Sequence, residues 1–396
     1  MIDISLLREK PEIVKESLQK RGEDITLVDK FTELDSRWRK IVGEVDALLE
    51  QRNKTVVDAT SNKEELVNLK QQIEGLREES ATLSKQRQDI YSAIPNIVSD
   101  DVPVGPGESA NKPIKTVGEP ALQEGLSHED LMKKADLIDL ESAAKSSGTR
   151  FRFLKNKAAL AHLQLMMMGI NHAVQKGFIP VIPPILAKEE ILFQSGWFPQ
   201  AKEDVFKTED NLYLVGTSEP MLLALASEKS FSASELPLRF VGFSSCFRRE
   251  AGSYGKDTKG MFRQHQFDKV EMVSICEPDK SKEEHEFMQS VVEEFIAKFN
   301  LPYQVTLIGS GDLGPSAAKK VDIETWFPSQ SKYRETHSIS NCTDYQARRL
   351  KTKKQGDNTF LHTLNGTLVT ERLLLAIIEN NQKPDGTIDW PEIFQN

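Results

Sequence analysis

Apolar residues recur at helical spacing through most of the N-terminal quarter of the chain. Two series step mainly by three and four through otherwise charged sequence, separated by a short polar interval. The first is Phe31, Leu34, Trp38, Ile41, Val45 and Leu48, and the second is Leu66, Leu69, Ile73, Leu76, Leu83 and Ile90. Each series forms a narrow apolar stripe on a polar helix. The pattern predicts two long helices paired as an antiparallel coiled-coil hairpin, an arm of about residues 28–94.

A coiled coil that joins two chains is the alternative interpretation of the same stripes. Because each stripe can bury itself against the other, no partner chain is required to explain the pattern.

Proline, glycine and small polar residues are dense between residues 95 and 120, where the helical spacing ends. Such a composition is typical of a linker between domains. We therefore expect an N-terminal domain of residues 1–100 that contains the arm, a linker of residues 101–118, and a second domain of residues 119–396.

The second domain consists of short apolar runs between polar turns. A helix of about residues 155–176 precedes several β-type runs, and an amphipathic helix lies near the end. The β-type runs are FIPVIPPIL, VFKTEDNLYLV (a hairpin), RFVGFSSCF, QFDKVEMVSIC and YQVTLI, and the late helix is ERLLLAIIENN. Hairpins followed by helices, without strict strand–helix alternation, predict an α+β fold with an antiparallel sheet flanked by helices.

Composition and charge narrow the partners that the chain could bind. Its 396 residues include 51 lysines and arginines and 60 aspartates and glutamates, a formal net charge of −9, so a general attraction to DNA is not expected. The charged start MIDISLLREKPE is no signal peptide, and no apolar run approaches the ~20 residues of a membrane span. The 3 cysteines have no recognisable spacing, which indicates free thiols in a reducing compartment. We expect a cytoplasmic protein with no membrane and no DNA partner.

The segment GSGDLG at residues 309–314 matches the G-x-G-x-x-G spacing of dinucleotide-binding loops. That function needs a helix and a second strand within a unit of ~30 residues. After the match, PSAAKK leaves room for less than ~2 helical turns before the strand-like VDIETWF. A tight connection between strands is the better interpretation.

Candidate chemistry concentrates at FRREAGSYGKDTKGMFRQHQF, where two predicted strands meet a polar loop. Arg248 and Glu250 lie two apart and share one face of a strand, while Arg263 and Phe267 lie at the other mouth of the loop. A weak ion pair on a solvated hairpin is the ordinary alternative. The same side chains suit a nucleotide, because guanidinium groups bind phosphates and a carboxylate accepts a hydrogen bond from an exocyclic amine. We expect a nucleoside triphosphate site without a Walker-type loop, which the sequence lacks.

Three segments resemble the signature motifs of the class II aminoacyl-tRNA synthetases, in the order of that family. KGFIPVIPPIL is similar to motif one, with Pro184 as its fixed proline, and FRREAGSYGKDTKGMFRQHQFDKVE resembles motif two. NGTLVTERLLLAIIENNQ resembles motif three, with Arg372 as its arginine, although it is one residue shorter before that arginine than the family pattern usually is.

Further segments narrow the resemblance to the seryl-tRNA synthetases of bacterial type. They are TSE (217–219), YRETHSISNCTDYQARR (333–349), the N-terminal MIDISLLREKPEIVKESLQKRG, the arm and the IPNI that closes it. The resemblance spans essentially the whole chain. It implies a class II catalytic domain preceded by the helical arm, and an ATP-dependent ligase that activates L-serine as seryl-adenylate and transfers it to tRNA(Ser). Whether tRNA(Sec) is also an acceptor stays open. The resemblance also implies a homodimer whose arm binds the tRNA.

The resemblance assigns the ATP site residue by residue. Arg248 would bridge the serine carboxylate and the α-phosphate, and Glu250 would read the adenine amine. Phe267 and Arg372 would cover the two faces of adenine, and Arg263 would help to bend the triphosphate. The expected catalytic residues are therefore Arg248, Arg263 and Arg372.

The same resemblance implies a metal site and a serine pocket. Glu335, supported by Ser338, would hold Mg²⁺ between the phosphates of ATP. The expected serine-binding residues are Thr217, Ser218, Glu219, Arg248, Glu271, Asn365 and Thr367. Two other functions are weighed against the ligase: a catalytically inactive paralogue that acts as a binding protein, and a ligase that loads an amino acid onto a carrier protein.

Overall fold

The computed structural model describes residues 1–57, 63–122, 124–250 and 261–395. The chain forms two compact units, Met1–Ile97 and Val98–Asn396. Most of the polar loop that separates the two mouths of the candidate nucleotide site, residues 251–260, lies outside the described residues.

The helices are α1 (Ile4–Glu9), α2 (Pro11–Arg21), α3 (Thr26–Val57), α4 (Lys63–Ala93), α5 (His128–Lys134), α6 (Leu140–Ser147), α7 (Asn156–Gln175), α8 (Glu189–Gln194), α9 (Glu219–Ala224), α10 (Ser281–Ile296), α11 (Tyr345–Leu350) and α12 (Glu371–Asn380). The strands are β1 (Lys112–Val117), β2 (Ile138–Asp139), β3 (Phe153–Leu154), β4 (Ile179–Val181), β5 (Leu186–Lys188), β6 (Leu212–Leu214), β7 (Ser230–Phe231), β8 (Leu238–Phe247), β9 (Gln266–Cys276), β10 (Tyr303–Leu307), β11 (Lys319–Phe327), β12 (Lys332–Asn341), β13 (Lys353–Lys354) and β14 (His362–Thr370).

The first unit contains the arm, in which α3 packs along α4. The predicted stripes face each other: Ile41 and Val45 of α3 and Leu83 of α4 are buried in one cluster, with Trp38 packed against it. The rings of Phe31 and Tyr91, near the start of α3 and the end of α4, lie 5.4 Å apart. The prediction of an antiparallel helical hairpin is confirmed.

One buried carboxylate interrupts the apolar contact at the base of the arm. Asp35 of α3 is only 1% exposed and accepts hydrogen bonds from Arg8 of α1, at 2.8 and 2.9 Å, and from Arg87 of α4, at 2.6 Å. The Arg87 guanidinium also lies 4.0 Å from the centroid of the Trp38 ring. Three helices are therefore joined at one ion-pair cluster, which we call the Asp35 cluster: Asp35, Arg8 and Arg87.

The second unit is built on one eight-stranded sheet in the order β1-β10-β11-β12-β14-β9-β8-β4. Every neighbouring pair is antiparallel except β4 and β8, which run parallel at one edge. Helices α7, α10 and α12 contribute to the main core with the sheet. The predicted α+β fold with an antiparallel sheet and flanking helices is confirmed.

Part of the predicted linker is a strand of this sheet. Residues 112–117, within the linker predicted at residues 101–118, form β1 and pair with β10. The strand contains Pro113 and has a bulge between Pro113 and Lys115. An edge strand tolerates a proline because one side of it makes no ladder bonds, so a composition typical of linkers also suits this edge.

Of two smaller predictions, the hairpin differs in detail from the structure and the tight connection agrees with it. In VFKTEDNLYLV only the second half is a strand, β6, which pairs with β5, while Lys207 makes an isolated bridge to Tyr213. The segment GSGDLG forms a short 3₁₀ turn, Ser310–Asp312, as expected of a tight connection. A Cβ on Gly311 would lie 2.6 Å from the carbonyl oxygen of Gly105, so glycine is needed there for close packing of backbone on backbone.

The helices in residues 1–57, 63–122, 124–250 and 261–395 include none with the length and apolar character that crossing a membrane requires.

Candidate active site

A cavity of about 520 Å³ opens over the middle of the large sheet, where β12, β14, β9 and β8 are neighbours. It brings together nine of the side chains that the sequence nominated for ATP, metal or serine. They are Glu219, Arg248, Glu250, Phe267, Glu335, Ser338, Asn365, Thr367 and Arg372. These residues come from six separate segments of the sequence, and the order of the strands is what makes them neighbours.

Arg248 follows directly after β8 and is fixed to its surroundings on several sides. Its backbone N–H donates to the carbonyl of His265 at 3.0 Å, which joins the two mouths of the polar loop. Its side-chain Nε donates to the carbonyl of Gly216 at 3.3 Å. Its guanidinium carbon lies 5.3 Å from the ring centroid of Phe267, on the returning strand β9. A cation and an aromatic ring therefore face the same cavity, as the spacing predicted.

Glu250 and Arg263 form an ion pair across the base of the loop. Nη1 of Arg263 donates to Oε2 of Glu250 at 2.9 Å. Glu250 lines the main cavity, whereas Arg263 lines a second cavity beside it, together with Arg150 and His128. The structure thus holds Arg263 outside the cavity in which the sequence placed it, because Glu250 is its partner here.

Glu335 and Ser338 reach the cavity together because β12 is irregular. Residues three apart point to opposite faces of a regular strand. In the pairing of β11 with β12, Ile323 lies opposite His337 while Glu324 lies opposite Glu335, so Thr336 is an extra residue. This bulge changes the alternation, and both Glu335 and Ser338 line the cavity.

Two cations keep Glu335 ionised. Withdrawal from bulk solvent would raise the pKa of its carboxyl, but nearby Lys320 and Arg372 outweigh this effect and hold the pKa well below its usual range. Nη1 of Arg372 donates to Oε2 of Glu335 at 3.0 Å, and Nζ of Lys320 lies 3.9 Å from Oε1. A carboxylate and a hydroxyl are hard oxygen donors, so Glu335 and Ser338 fit a magnesium ion.

In the same cavity, the carboxylate of Glu219 accepts hydrogen bonds from three segments of the chain. Oε1 accepts from Nε2 of Gln346 at 2.7 Å and from Nδ2 of Asn365 at 2.9 Å. Oε2 accepts from the indole Nε1 of Trp197 at 3.3 Å. Burial, with the nearby charge of Glu271, raises the pKa of Glu219 to about 7 in spite of these donors. The carboxyl groups of Glu219 and nearby Glu271 suit a positively charged ammonium group.

Thr217 and Glu271 are buried next to Glu219 and do not themselves line the cavity. The hydroxyl of Thr217 donates to Oε2 of Glu271 at 3.2 Å, and Nζ of Lys269 lies 2.6 Å from the same oxygen. Thr367 of β14 lies directly opposite Glu271 of β9, next to a register shift in the pairing. Despite the shorter third motif, Thr367 and Asn365 both face the cavity.

Ser218 lies apart from this group. It is fully buried, and its hydroxyl donates to the carbonyl of Gly242 at 3.4 Å. Ser218 was nominated as a serine-binding residue, but its hydroxyl is hydrogen-bonded within the fold and its side chain does not line the cavity.

His337 is a buried residue of the cavity wall. Burial lowers the pKa of its imidazole to about 3, so the ring is neutral at physiological pH. The hydroxyl of Thr336 lies 2.8 Å from its Nδ1.

Sequence reasoning missed several residues of the site, among them Lys320 beside Glu335 and three residues that contact Glu219 or Glu271. Trp197 and Gln346 both donate to Glu219, and Lys269 pairs with Glu271. Gln346 and Lys269 stand inside segments that were already matched to the family, so inspection of their neighbours could have found them. Trp197 stands in SGWFPQ, which carries no motif, and only the fold brings it to the cavity.

Two protein-family profiles match this chain. The profile of the class II tRNA synthetase core domain (G, H, P, S and T) matches residues 203–381, and the profile of the seryl-tRNA synthetase N-terminal domain matches residues 1–98. Among relatives, the serine--tRNA ligase of Mycobacterium avium (strain 104) is 42% identical over 408 residues, covering 99% of this chain and 96% of the relative. That of Mycobacterium tuberculosis (strain ATCC 25618 / H37Rv) is 41% identical over 405 residues, covering 99% and 96%.

Solved structures are similar over the whole chain. Seryl-tRNA synthetase from Pyrococcus horikoshii, complexed with ATP, has a TM-score of 0.92 at 37% identity. The match covers 100% of this chain and 97% of the Pyrococcus chain. The cytoplasmic serine-tRNA ligase from Naegleria fowleri, in complex with AMP, has a TM-score of 0.89 at 35% identity and covers 100% and 96%.

Proposed function

The chain belongs to the seryl-tRNA synthetase family, and from that premise we propose how its residues activate serine with ATP and transfer it to tRNA. It is a class II serine–tRNA ligase that binds ATP. The observation that carries this function is one cavity lined both by cations that suit phosphates, Arg248 and Arg372, and by the carboxylate of Glu219. The phosphates of ATP are negatively charged and suit the two arginines, and the ammonium group of serine is positively charged and suits Glu219.

Arg248 is the residue that joins the two substrates. A serine carboxylate oxygen attacks the α-phosphorus of ATP in line, a P–O bond forms to give seryl-adenylate, and pyrophosphate leaves. Arg248 binds the serine carboxylate and the α-phosphate and offsets the charge that develops between them. This reaction needs mainly positioning and charge stabilisation, which a fixed guanidinium provides.

The adenine end is formed by Glu250, Phe267 and Arg372. Phe267 stacks on one face of the base, Arg372 covers the other face, and Glu250 accepts from the exocyclic amine. The pairing of Glu250 with Arg263 at 2.9 Å means that ATP must share or replace this contact. Arg263, once released, is the cation that binds the folded triphosphate.

Mg²⁺ is assigned to Glu335 and Ser338. The depressed pKa of Glu335 keeps its carboxylate charged, and the two oxygen donors fit a hard cation. The bound ion would neutralise charge on the phosphates. Arg372 remains beside Glu335 and orients it through the 3.0 Å contact.

Serine is selected by Glu219, Thr217, Glu271, Asn365 and Thr367. Glu219 binds the ammonium group, and the hydrogen-bonded pair of Thr217 and Glu271 behind it receives the serine hydroxyl. A pocket that hydrogen-bonds a hydroxyl rejects the analogue without it by ~10⁴–10⁵, because its buried polar groups would lose their partners. Alanine is therefore excluded by missing hydrogen bonds, and threonine is excluded by its volume.

The arm of α3 and α4 is assigned to tRNA(Ser), with tRNA(Sec) left as a second candidate. The profile match of residues 1–98 to the seryl-tRNA synthetase N-terminal domain supports this role. A cytoplasmic location is supported by the three cysteines, which are buried free thiols. The retained residues of the cavity favour an active ligase over an inactive paralogue, and the arm favours tRNA over a carrier protein.

Serine-dependent exchange of pyrophosphate into ATP, measured with and without residues 30–92, tests this function. We expect exchange in both proteins and tRNA charging only in the intact one, because activation uses the cavity and charging also needs the arm. No exchange in the intact protein would contradict the activity, and charging that ignores the deletion would contradict the role of the arm.

A further inference from the structure

Trp197 is a large side chain that the roles above leave unassigned, although it stands inside the cavity. It follows α8, and its backbone N–H donates to the carbonyl of Leu192 at 3.0 Å, which turns the chain toward the site. The indole is only partly buried and lines the cavity beside Glu219 and Arg248. A tryptophan in that position covers surface that serine or its adenylate would otherwise share with water.

Three contacts converge on this indole. Its Nε1 donates to Oε2 of Glu219 at 3.3 Å. Its ring centroid lies 5.8 Å from the guanidinium carbon of Arg248. Beneath it lies Gly216, where an added Cβ would come within 2.9 Å of the indole ring. The carbonyl of Gly216 also accepts from Nε of Arg248 at 3.3 Å, so glycine, indole and guanidinium form one packed layer.

The division of donors around Glu219 gives the indole a distinct task. Gln346 and Asn365 both donate to Oε1, whereas the indole donates to Oε2. The carboxylate plane is therefore fixed from both oxygens, and removal of the indole N–H would leave Oε2 free to rotate away from an incoming ammonium group. The same ring limits the rotamers of Arg248, which binds the other end of the amino acid.

We propose that Trp197 is a positioning residue for the amino acid substrate, holding Glu219 against the ammonium group and Arg248 against the carboxylate. This inference rests on the proposed serine-activating function. It concerns mainly the binding of the amino acid, because Trp197 contacts Glu219 and Arg248 but makes no hydrogen bond or cation–π contact with the described residues assigned to adenine and Mg²⁺.

The variant Trp197→Phe keeps an aromatic ring and removes the N–H donor. In serine-dependent pyrophosphate exchange we expect the KM for serine to rise about tenfold, a loss typical of one hydrogen bond to a charged group, with the KM for ATP within about twofold of the wild type. The matched control is Trp326→Phe, which also removes one indole donor, to the carbonyl of Leu122 at 2.9 Å, away from the cavity. It should leave both KM values unchanged.

The pH dependence of kcat/KM for serine distinguishes the loss of this hydrogen bond from a general structural defect, which would not shift it. Glu219 is faced by Glu271 and Lys269 of β9, by neutral Gln346 and Asn365, and by the indole. Since a donor favours the carboxylate, its removal raises the pKa of Glu219 above its value of about 7. The acid limb of kcat/KM for serine should therefore move to higher pH in Trp197→Phe and stay in place in Trp326→Phe.

Gly216→Ala is a second route to the same displacement, because the new methyl group would push the indole without changing it. It should raise the KM for serine and spare the KM for ATP. An active wild type in which Trp197→Phe and Gly216→Ala keep a normal KM for serine, or raise both KM values equally, would overturn this inference alone. A wild type without serine-dependent exchange would overturn the proposed function and this inference with it.

Discussion

At the scale of single residues, the two adjacent arginines after β8 have different environments. Arg248 lines the cavity and approaches Phe267 and Trp197, whereas Arg249 is exposed and its backbone N–H donates to the carbonyl of Asp204. Of the two adjacent arginines in this motif, one therefore faces the cavity and the other faces solvent.

Substitution of these two arginines separates their roles. Arg248→Ala should lower the rate of serine-dependent pyrophosphate exchange about 10³-fold, because it removes a preorganised positive charge from the reacting phosphate. Arg249→Ala should stay within about twofold of the wild type. Exchange assays with urea melts of both variants would check this, and a well-folded Arg248→Ala protein of near-normal activity would refute the role of Arg248.

Residue types and spacing predicted the part of the cavity beside the polar loop, the family resemblance nominated the other side chains, and the exceptions have physical reasons. Arg248, Glu250 and Phe267 could be nominated because they lie near one another along two paired strands. Trp197 could not, because its place beside Glu219 depends on tertiary packing. Ser218 was misplaced because neighbours in sequence at a helix start need not point the same way, and here Thr217 faces Glu271 while Ser218 faces Gly242.

At the scale of elements, the arm depends on a buried polar contact as well as on its apolar stripe. The Asp35 cluster joins α3 to α1 and α4 through three hydrogen bonds. Burial by itself would raise the pKa of Asp35, but the hydrogen bonds from Arg8 and Arg87 outweigh it, so the net shift is downward. The contribution to stability is therefore present above the pKa of an unfolded aspartate and is lost as pH falls through the lower, folded value.

Asp35→Ala should loosen the base of the arm. It leaves the guanidinium groups of Arg8 and Arg87 without their carboxylate, and also that of Arg39, whose Nε lies 3.1 Å from Oδ2. We expect the free energy of unfolding of the first unit to fall by about 2 kcal/mol. Urea unfolding followed by circular dichroism would measure this, with exposed Asp46→Ala on the same helix as the control. Equal stability of the two variants would show that the apolar stripe alone holds the hairpin.

Helix periodicity predicted the arm well because the apolar spacing repeats over about five turns of α3 and about seven turns of α4. Strand irregularities were beyond the same reasoning. The bulge at Thr336, which brings Glu335 and Ser338 to one face, involves a single unpaired residue that leaves no periodic signal. The resemblance nominated both residues, but only the pairing explains how they act together.

At the scale of the whole molecule, one helix of the second unit presents an apolar surface to solvent. We define the α7 stripe as Leu160, Leu163, Met167 and Val174, which are 64%, 60%, 56% and 42% exposed. Ile182, in the segment that resembles motif one, is 87% exposed. Apolar residues at helical spacing on an exposed face are typical of an interface, and we propose that this surface forms the homodimer.

Leu163→Glu should therefore convert a dimer into monomers, because a carboxylate would be buried against the same stripe of the other subunit. Sedimentation velocity would report the change in mass. Ile114→Glu, which introduces the same charge at an exposed isoleucine of β1, is the control and should remain dimeric. A dimer that survives Leu163→Glu would place the interface elsewhere.

The contact between Phe31 and Tyr91 has a consequence for how this protein can be altered. The two helices are close together at these rings, so the part of the hairpin beyond them is a segment whose two ends are adjacent. We call this segment the cassette, because it can be exchanged as one piece. Inserting seven residues into each helix would extend the cassette by ~10 Å. Grafting hairpins of other lengths onto this base therefore offers a route to engineered synthetases that serve tRNAs of different dimensions.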